Sequence, residues 1–347
     1  MIGRQAEWEK IDCVSAAPYF RSRCDPHSCP SPIWPRRPHS TQPNSCVTNV
    51  KAVVIVTPAT PRFAYVYLGL MVATWAANWP LMRLALAHSA PMVFVSLRMA
   101  GSVAILAPVL AALRHPLLPV ARERLALFWV GLFQVTGFLV FSIIGLAIVA
   151  PGRAIVLAYT MPLWAIPLGL VLSREMPSPA KLAGAAIGFA GLVVFMNPAL
   201  VDWVDPREVA GNLFLLLAAI SWAAGSCLYG SRPWRSSFWA QTFWQLAVGA
   251  VTIVVPVVFL VPDWSVELSP RFVAILAYNW IVTTVLGYFL WNKVLAVMSP
   301  AVAGQVLTLT PISGFLLSML IFGGAITVDI VAGILLIAIG LVLTLRR

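Results

Sequence analysis

Long apolar runs, separated by short breaks that contain polar residues, proline or glycine, dominate the chain from residue 63 onward. Each run approaches the ~20 residues that an α-helix needs to cross ~30 Å of hydrocarbon. The runs are continuous and do not alternate with period two, so they predict helices and not the strands of an outer-membrane barrel. Ten membrane spans are predicted, at residues 63–86, 90–113, 125–148, 152–173, 180–196, 209–230, 237–260, 272–297, 301–322 and 326–345.

The overall composition agrees with a membrane protein. Of the 347 residues, 60% are hydrophobic and 10% are charged, and the mean hydropathy is +0.89. A soluble domain carries roughly 25% charged residues and could not hide this much apolar surface. The lipid bilayer is therefore the expected environment.

The net charge of +11 lies largely in short loops, which argues against a nucleic-acid partner. The loops after even-numbered spans, with the C-terminus, hold ten basic residues: Arg114, Arg122, Arg124, Arg174, Lys181, Arg232, Arg235, Lys293, Arg346 and Arg347. The loops after odd-numbered spans hold four: Arg83, Arg153, Arg207 and Arg271. By the positive-inside rule, this bias predicts an inner-membrane protein with both termini in the cytoplasm.

Residues 1–62 differ from the rest of the chain. They are rich in proline and contain no apolar run long enough for the core of a signal peptide. We expect a disordered tail, and one interpretation is that the natural start lies among residues 47–54. The cysteines and histidines of the tail match no common zinc spacing, so neither a metal site nor a cofactor is predicted.

An internal repeat divides the spans into two halves. Three matches occur in order, at offsets of 147, 149 and 149: Thr74–Ala77 with Ser221–Ala224, Pro162 with Pro311, and Gly184 and Gly191 with Gly333 and Gly340. Because five is odd, the second five-helix unit must enter the membrane from the opposite side. The predicted fold is an all-α integral membrane protein whose ten transmembrane helices form two inverted five-helix repeats around a central cavity. The repeats cover residues 63–200 and 209–345, joined by a linker at 201–208.

Several motifs in these spans resemble the EamA-like family of the drug/metabolite transporter superfamily. The matching features are Trp75-Ala76-Ala77-Asn78-Trp79 with Arg83, Leu97-Arg98, the run from Ala154 through Pro162 to Arg174-Glu175, and Leu290-Trp291-Asn292-Lys293. The second repeat keeps Pro311 but has Gly323-Gly324 where an acid is usual. The resemblance covers residues 63–345 and implies a ten-helix exporter of small molecules.

Arg98 is a charge placed deep within a predicted span. It lies roughly 12 Å from the outer edge at ~1.5 Å per residue, and at that depth a charge costs at least ~2.5 kcal/mol against lipid. It should therefore face the protein interior or a cavity, where it binds either a carboxylate or phosphate of the substrate or carbonyl groups at a helix end. The span interiors lack Asp, Glu and His, which disfavours proton-coupled export of cations. The predicted substrates are amino acids and related zwitterions or anions.

The other cavity candidates are polar and aromatic side chains within spans: Asn78, Trp79, Tyr159, Trp164, Trp222, Gln245, Tyr288, Gln305 and Thr308. Pro162 and Pro311 each remove a backbone hydrogen bond, so they are candidates for hinges of alternating access or for static bends.

Two other functions are compatible with a polytopic membrane protein. A flippase for a lipid or a lipid-linked sugar would need a lateral opening to the bilayer. An intramembrane enzyme would need acid, His, Cys or metal constellations that the spans lack. The sequence leaves substrate identity, coupling mode and oligomeric state open, with a homodimer among the options.

Overall fold

The structure is a computed structural model that describes residues 61–172, 177–196, 204–322 and 327–345. Nearly all of these residues are helical, and the β-structure among them is one isolated bridge between Ser89 and Val266. The predictions for the N-terminal tail and for the pairs Arg174-Glu175 and Gly323-Gly324 lie outside the described residues.

Ten helical rods follow one another through these ranges. They are α1 (Pro61–Ala85), α2 (Pro91–Ala112), α3 (Ala121–Ile148), α4 (Pro151–Ala158 and Met161–Leu172), α5 (Pro179–Met196), α6 (Pro206–Gly230), α7 (Phe238–Leu260), α8 (Pro270–Leu295), α9 (Pro300–Leu307 and Leu309–Phe322) and α10 (Val328–Leu345). Seven described helices are long and apolar enough to cross a membrane, and α5 and α10 are shorter apolar helices. The all-helical membrane fold is confirmed, and the count of ten crossings stays a prediction.

Irregular segments recur at corresponding places in the two halves. Rod α3 widens into a π-helix over Gly131–Gly137, and α8 does so over Asn279–Leu286. Rod α4 is interrupted at Tyr159-Thr160 and α9 at Thr308. Residues 131 and 279 are 148 apart, and residues 159 and 308 are 149 apart, which agrees with the offsets of the sequence repeat.

Helix packing follows the same approximate two-fold relation. In one set of contacts, α3 and α4 both pack against α6. Their counterparts in the second half, α8 and α9, both pack against α1. Rods α2 and α7 pair with each other, as do α5 and α10. A Cβ atom on Gly191 would lie 2.7 Å from the backbone nitrogen of Ile337, and one on Gly184 would lie 2.7 Å from the carbonyl oxygen of Gly340. These glycines therefore allow α5 and α10 to pack backbone against backbone.

The connections between rods form two separate faces. On the odd face, after odd-numbered rods, the amide of Glu267 donates to the carbonyl of His88 at 2.9 Å, and Arg153 pairs with Glu208. On the even face, the amide of Val120 donates to the hydroxyl of Ser236 at 2.9 Å. Rod α1 therefore ends on the odd face while its counterpart α6 ends on the even face, as inverted repeats require.

Candidate functional site

A narrow cavity lies in the interior of the bundle, between the two halves. It is lined by α1, α2, α3, α4, α6 and α8. Six of the predicted candidates face it: Asn78, Trp79, Arg98, Tyr159, Trp222 and Tyr288. The other lining residues are Trp75, Met82, Phe138, Leu139, Ser142, Met161 and Thr283. Each half contributes to this central cavity.

One face of α1 supplies four of the lining residues. Trp75, Asn78, Trp79 and Met82 are spaced at i, i+3, i+4 and i+7, so they lie above one another along the helix. Met82 was missing from the sequence prediction, although this spacing could have identified it.

Arg98 is the charged group of the cavity lining, and its side chain is 4% exposed. Its Nε donates to the hydroxyl of Thr284 at 2.8 Å, and one terminal nitrogen donates to the hydroxyl of Thr283 at 3.4 Å. The other terminal nitrogen lies 3.6 Å from the sulfur of Met82. Within the described residues, no carboxylate lies within salt-bridge distance of this guanidinium. Among the described residues, the guanidinium of Arg98 is thus held in place by neutral groups and has no acidic partner.

The repeat-related tryptophans Trp75 and Trp222 meet at the cavity. Their rings pack edge to face, with centroids 5.3 Å apart and planes at 88°. The indole nitrogen of Trp75 donates to the carbonyl of Thr283 at 3.1 Å. The indole nitrogen of Trp222 is buried and has no hydrogen-bond partner among the described residues. The two halves therefore place equivalent rings together but leave one donor available to a bound molecule.

A second buried polar atom in the cavity, the side-chain oxygen of Asn78, also has no hydrogen-bond partner in the part of the chain that the structure describes. It sits on α1 beside Trp79, whose ring centroid lies 6.3 Å from that of Tyr159. The ring of Tyr288 packs 5.6 Å from Trp222, and its hydroxyl donates to the carbonyl of Gln134 at 3.2 Å. The site thus combines one cation, a free donor and a free acceptor with aromatic walls.

Comparison with known proteins places this architecture in a family. Residues 62–197 and 209–346 each match the EamA-like transporter family. The chain belongs to this family. The uncharacterized transporter YoaV of Bacillus subtilis is 24% identical over 280 residues, covering 80% of this chain and 95% of YoaV. A probable amino-acid metabolite efflux pump of Salmonella typhimurium is 22% identical over 284 residues, covering 78% of this chain and 91% of the pump.

A solved crystal structure shares the fold of this EamA-like protein. It superposes with a TM-score of 0.64 at 20% sequence identity, covering 82% of this chain and 97% of the other. Family membership and the apolar rods together show a multi-pass membrane transporter, in agreement with the interpretation of the sequence.

Four predicted cavity residues of this EamA-like transporter lie elsewhere. The side-chain oxygen of Gln245 accepts from Asn292 at 3.3 Å within a buried polar cluster between α7 and α8. Gln305 lines a separate space near the even face. The hydroxyl of Thr308 donates to the carbonyl of Gln305 at 2.6 Å, and the indole of Trp164 donates to the hydroxyl of Thr160 at 3.3 Å. None of the four lines the central cavity.

The two predicted hinge prolines follow the helix breaks directly. Pro162 is the second residue of the later piece of α4, and Pro311 is the third residue of the later piece of α9. At each break, a threonine hydroxyl donates to a carbonyl three residues earlier, from Thr160 to Leu157 and from Thr308 to Gln305. These bonds satisfy carbonyl groups at the interruptions of the backbone ladder. Whether the breaks act as hinges stays a prediction.

Proposed function

We propose that this transporter carries amino acids and related zwitterionic or anionic metabolites through the central cavity. The observation that carries the proposal is Arg98, a buried cation in the cavity lining with no counterion among the described residues. A guanidinium presents a planar fork of donors that matches a carboxylate in two places. A substrate carboxylate would therefore supply the missing negative charge.

The desolvation of Arg98 makes its charge available for binding. Moving an ion out of water costs several kcal/mol even after relaxation of the protein, and two threonine hydroxyls offset that cost only in part. An incoming carboxylate gains from the low dielectric of the site, where the attraction between charges is screened less than in water. Carboxylate-bearing solutes are thus favoured over neutral ones of the same size.

The remaining cavity groups suit the ammonium end of an amino acid. The free oxygen of Asn78 is an acceptor, and the aromatic rings of Trp79 and Tyr159 present faces that attract cations. The free indole donor of Trp222 can bind a second carboxylate oxygen. A free amine without a carboxylate would meet the positive charge of Arg98 without compensation, so amines are expected to be excluded.

Alternating access and export complete the proposal. The paired breaks in α4 and α9, each followed by a proline, are the places where rods of the two halves can bend. The outward direction is supported by the similarity to the Salmonella typhimurium protein, a probable amino-acid metabolite efflux pump.

The test is transport by the full chain in proteoliposomes. Counterflow would be measured for a labelled neutral amino acid against three competitors of similar size: the amino acid itself, its α-amide and the corresponding decarboxylated amine. We expect the amino acid to compete and the amine to fail. Equal competition by the amine would overturn the proposal, and lipid scrambling without solute flux would favour a flippase.

A further inference from the structure

A further cavity, here named the cationic cleft, opens on the even face of the protein. It is lined by residues 229–238, Gln241, Lys293 and residues 295–297. The residues that define it chemically are Arg232, Arg235, Lys293, Trp234 and Ser236. It therefore lies between the α6–α7 loop, the start of α7 and the end of α8, apart from the central cavity.

Lys293 is the most informative of its three cations. The side chain is half-buried, and its ammonium lies 4.9 Å from the ring centre of Phe289 and 5.8 Å from those of Tyr67 and Phe238. Within the described ranges, no carboxylate lies within salt-bridge distance of it. The positive-inside rule accounts for basic residues in loops, but it does not require a lysine enclosed by three aromatic rings.

The acidic group bordering this region is already engaged. The carboxylate of Glu123 accepts from the backbone amides of Arg235 and Ser236, at 2.6 and 3.1 Å, and from the hydroxyl of Ser236. It thereby holds the loop in shape and leaves the cleft with an excess of positive charge. Rod α7 also begins here, capped by Ser237, so the positive end of its dipole adds to the same field.

The repeat shows that the fold does not demand these cations. At an offset of 147, Arg232 and Arg235 correspond to Ala85 and His88, and at an offset of 148, Lys293 corresponds to Gly145. The equivalent corner on the odd face is therefore built without this triad. At these offsets, none of the three corresponding positions on the odd face carries Arg or Lys.

We propose that the cationic cleft binds the phosphate group of an anionic glycerophospholipid. The cleft lies where rods end, at the level of lipid headgroups, and Trp234 is an aromatic residue of the kind found at that level. Its basic groups would contact the phosphodiester, and the partly exposed apolar residue Val297 would contact the start of the acyl chains. Basic clefts between membrane helices bind anionic headgroups because they place positive charges at the level of the lipid phosphates.

Lipid titration followed by native mass spectrometry tests this proposal. Full-length protein would be delipidated and titrated with phosphatidylglycerol or phosphatidylcholine, comparing wild type with Lys293→Gln and with Arg232→Gln/Arg235→Gln. A basic group near a membrane surface contributes about 1 kcal/mol, so each lost charge should weaken phosphatidylglycerol binding about fivefold. Phosphatidylcholine binding should change less than twofold.

The control variant is Arg122→Gln, which removes a charge near the same face but outside the cleft. Equal loss in Arg122→Gln and Lys293→Gln would show a general charge effect and overturn the proposal. A separate competition with inorganic phosphate and with glycerol 3-phosphate distinguishes a lipid from a free anion. Displacement of the lipid by either at equimolar concentration would overturn the lipid assignment. Melting curves in phosphatidylcholine confirm that the variants are folded.

Discussion

Replacing Arg98 by glutamine is the most direct perturbation of the proposed substrate site. The change keeps a polar side chain of similar reach and removes the charge. Arg98 is 4% exposed, so in the bound state its partner would also be desolvated. Removing one member of a buried, hydrogen-bonded charge pair costs about 2–5 kcal/mol. At about 1.4 kcal/mol per factor of ten, kcat/KM for amino-acid counterflow should fall at least about thirtyfold.

The α-amide of the same amino acid, in which an uncharged carboxamide replaces the carboxylate, separates binding from structure. In the wild type, the amide should be transported at least about tenfold less efficiently than the acid, because it cannot offset the guanidinium charge. In Arg98→Gln this discrimination should disappear. Arg98→Lys keeps the charge but loses the bidentate fork, so it should retain part of the discrimination.

Stability provides the structural control for the same variant. Arg98 donates to Thr283 and Thr284, and glutamine can replace only part of this bonding. Losing these hydrogen bonds lowers stability, whereas removing a buried charge raises it because the charge no longer has to be desolvated. The two effects oppose each other, so the melting temperature should change little. If Arg98→Gln slows the acid and the amide by the same factor, or leaves both unchanged, Arg98 does not bind the substrate carboxylate.

Three further predictions concern the second donor, helix packing and topology. Trp222→Phe keeps the ring and removes the free indole donor, so KM for counterflow should rise about fivefold for one hydrogen bond of about 1 kcal/mol. Gly191→Leu should lower the melting temperature in detergent, because overpacking costs about 1–3 kcal/mol, while Gly69→Leu, with open space around it, should not. With native cysteines replaced by serine, Ser265→Cys on the odd face should react with an impermeant maleimide in intact cells, and Ser178→Cys on the even face only after permeabilisation. The reverse labelling pattern would invert the predicted orientation.

Helices long enough to span a membrane were predictable from the sequence because each needs only a sufficient length of apolar residues. The π segments and helix breaks were not, since nothing in their composition distinguishes Gly131–Gly137 or Asn279–Leu286 from neighbouring apolar turns. A π segment adds a residue to the turn and shifts the face that follows it. Phe138 and Ser142, which follow the first segment and line the cavity, were not predicted, whereas Tyr288, which follows the second segment, was.

The sequence could assign a residue to the cavity only in two cases. Either the helix repeat placed it on the same face as other lining residues, or the energetic cost of exposing it to lipid forced it inward. Arg98 had to face inward because lipid would penalise its charge, and it does line the cavity. Neutral groups such as Gln245 and Gln305 carry a smaller penalty for facing away from water, so they can lie outside the central cavity. Which of them reaches the cavity depends on long-range packing between the halves, which a single sequence does not specify.

The internal repeat relates two predicted residues that line the cavity to two that do not. Offsets of 147 and 149 pair Arg98 with Gln245 and Tyr159 with Thr308. The first member of each pair lines the central cavity. The second members are absent from its lining, and Gln245 instead bonds to Asn292 between α7 and α8.

The proposed transport cycle uses this difference between the halves. Inverted repeats can exchange their conformations, which closes access on one face and opens it on the other around a fixed site. Because Gln245 is neutral, the exchange does not create a second cationic site on the even face. A single anion-binding group then serves both conformations, so substrates presented from the two faces should compete for Arg98.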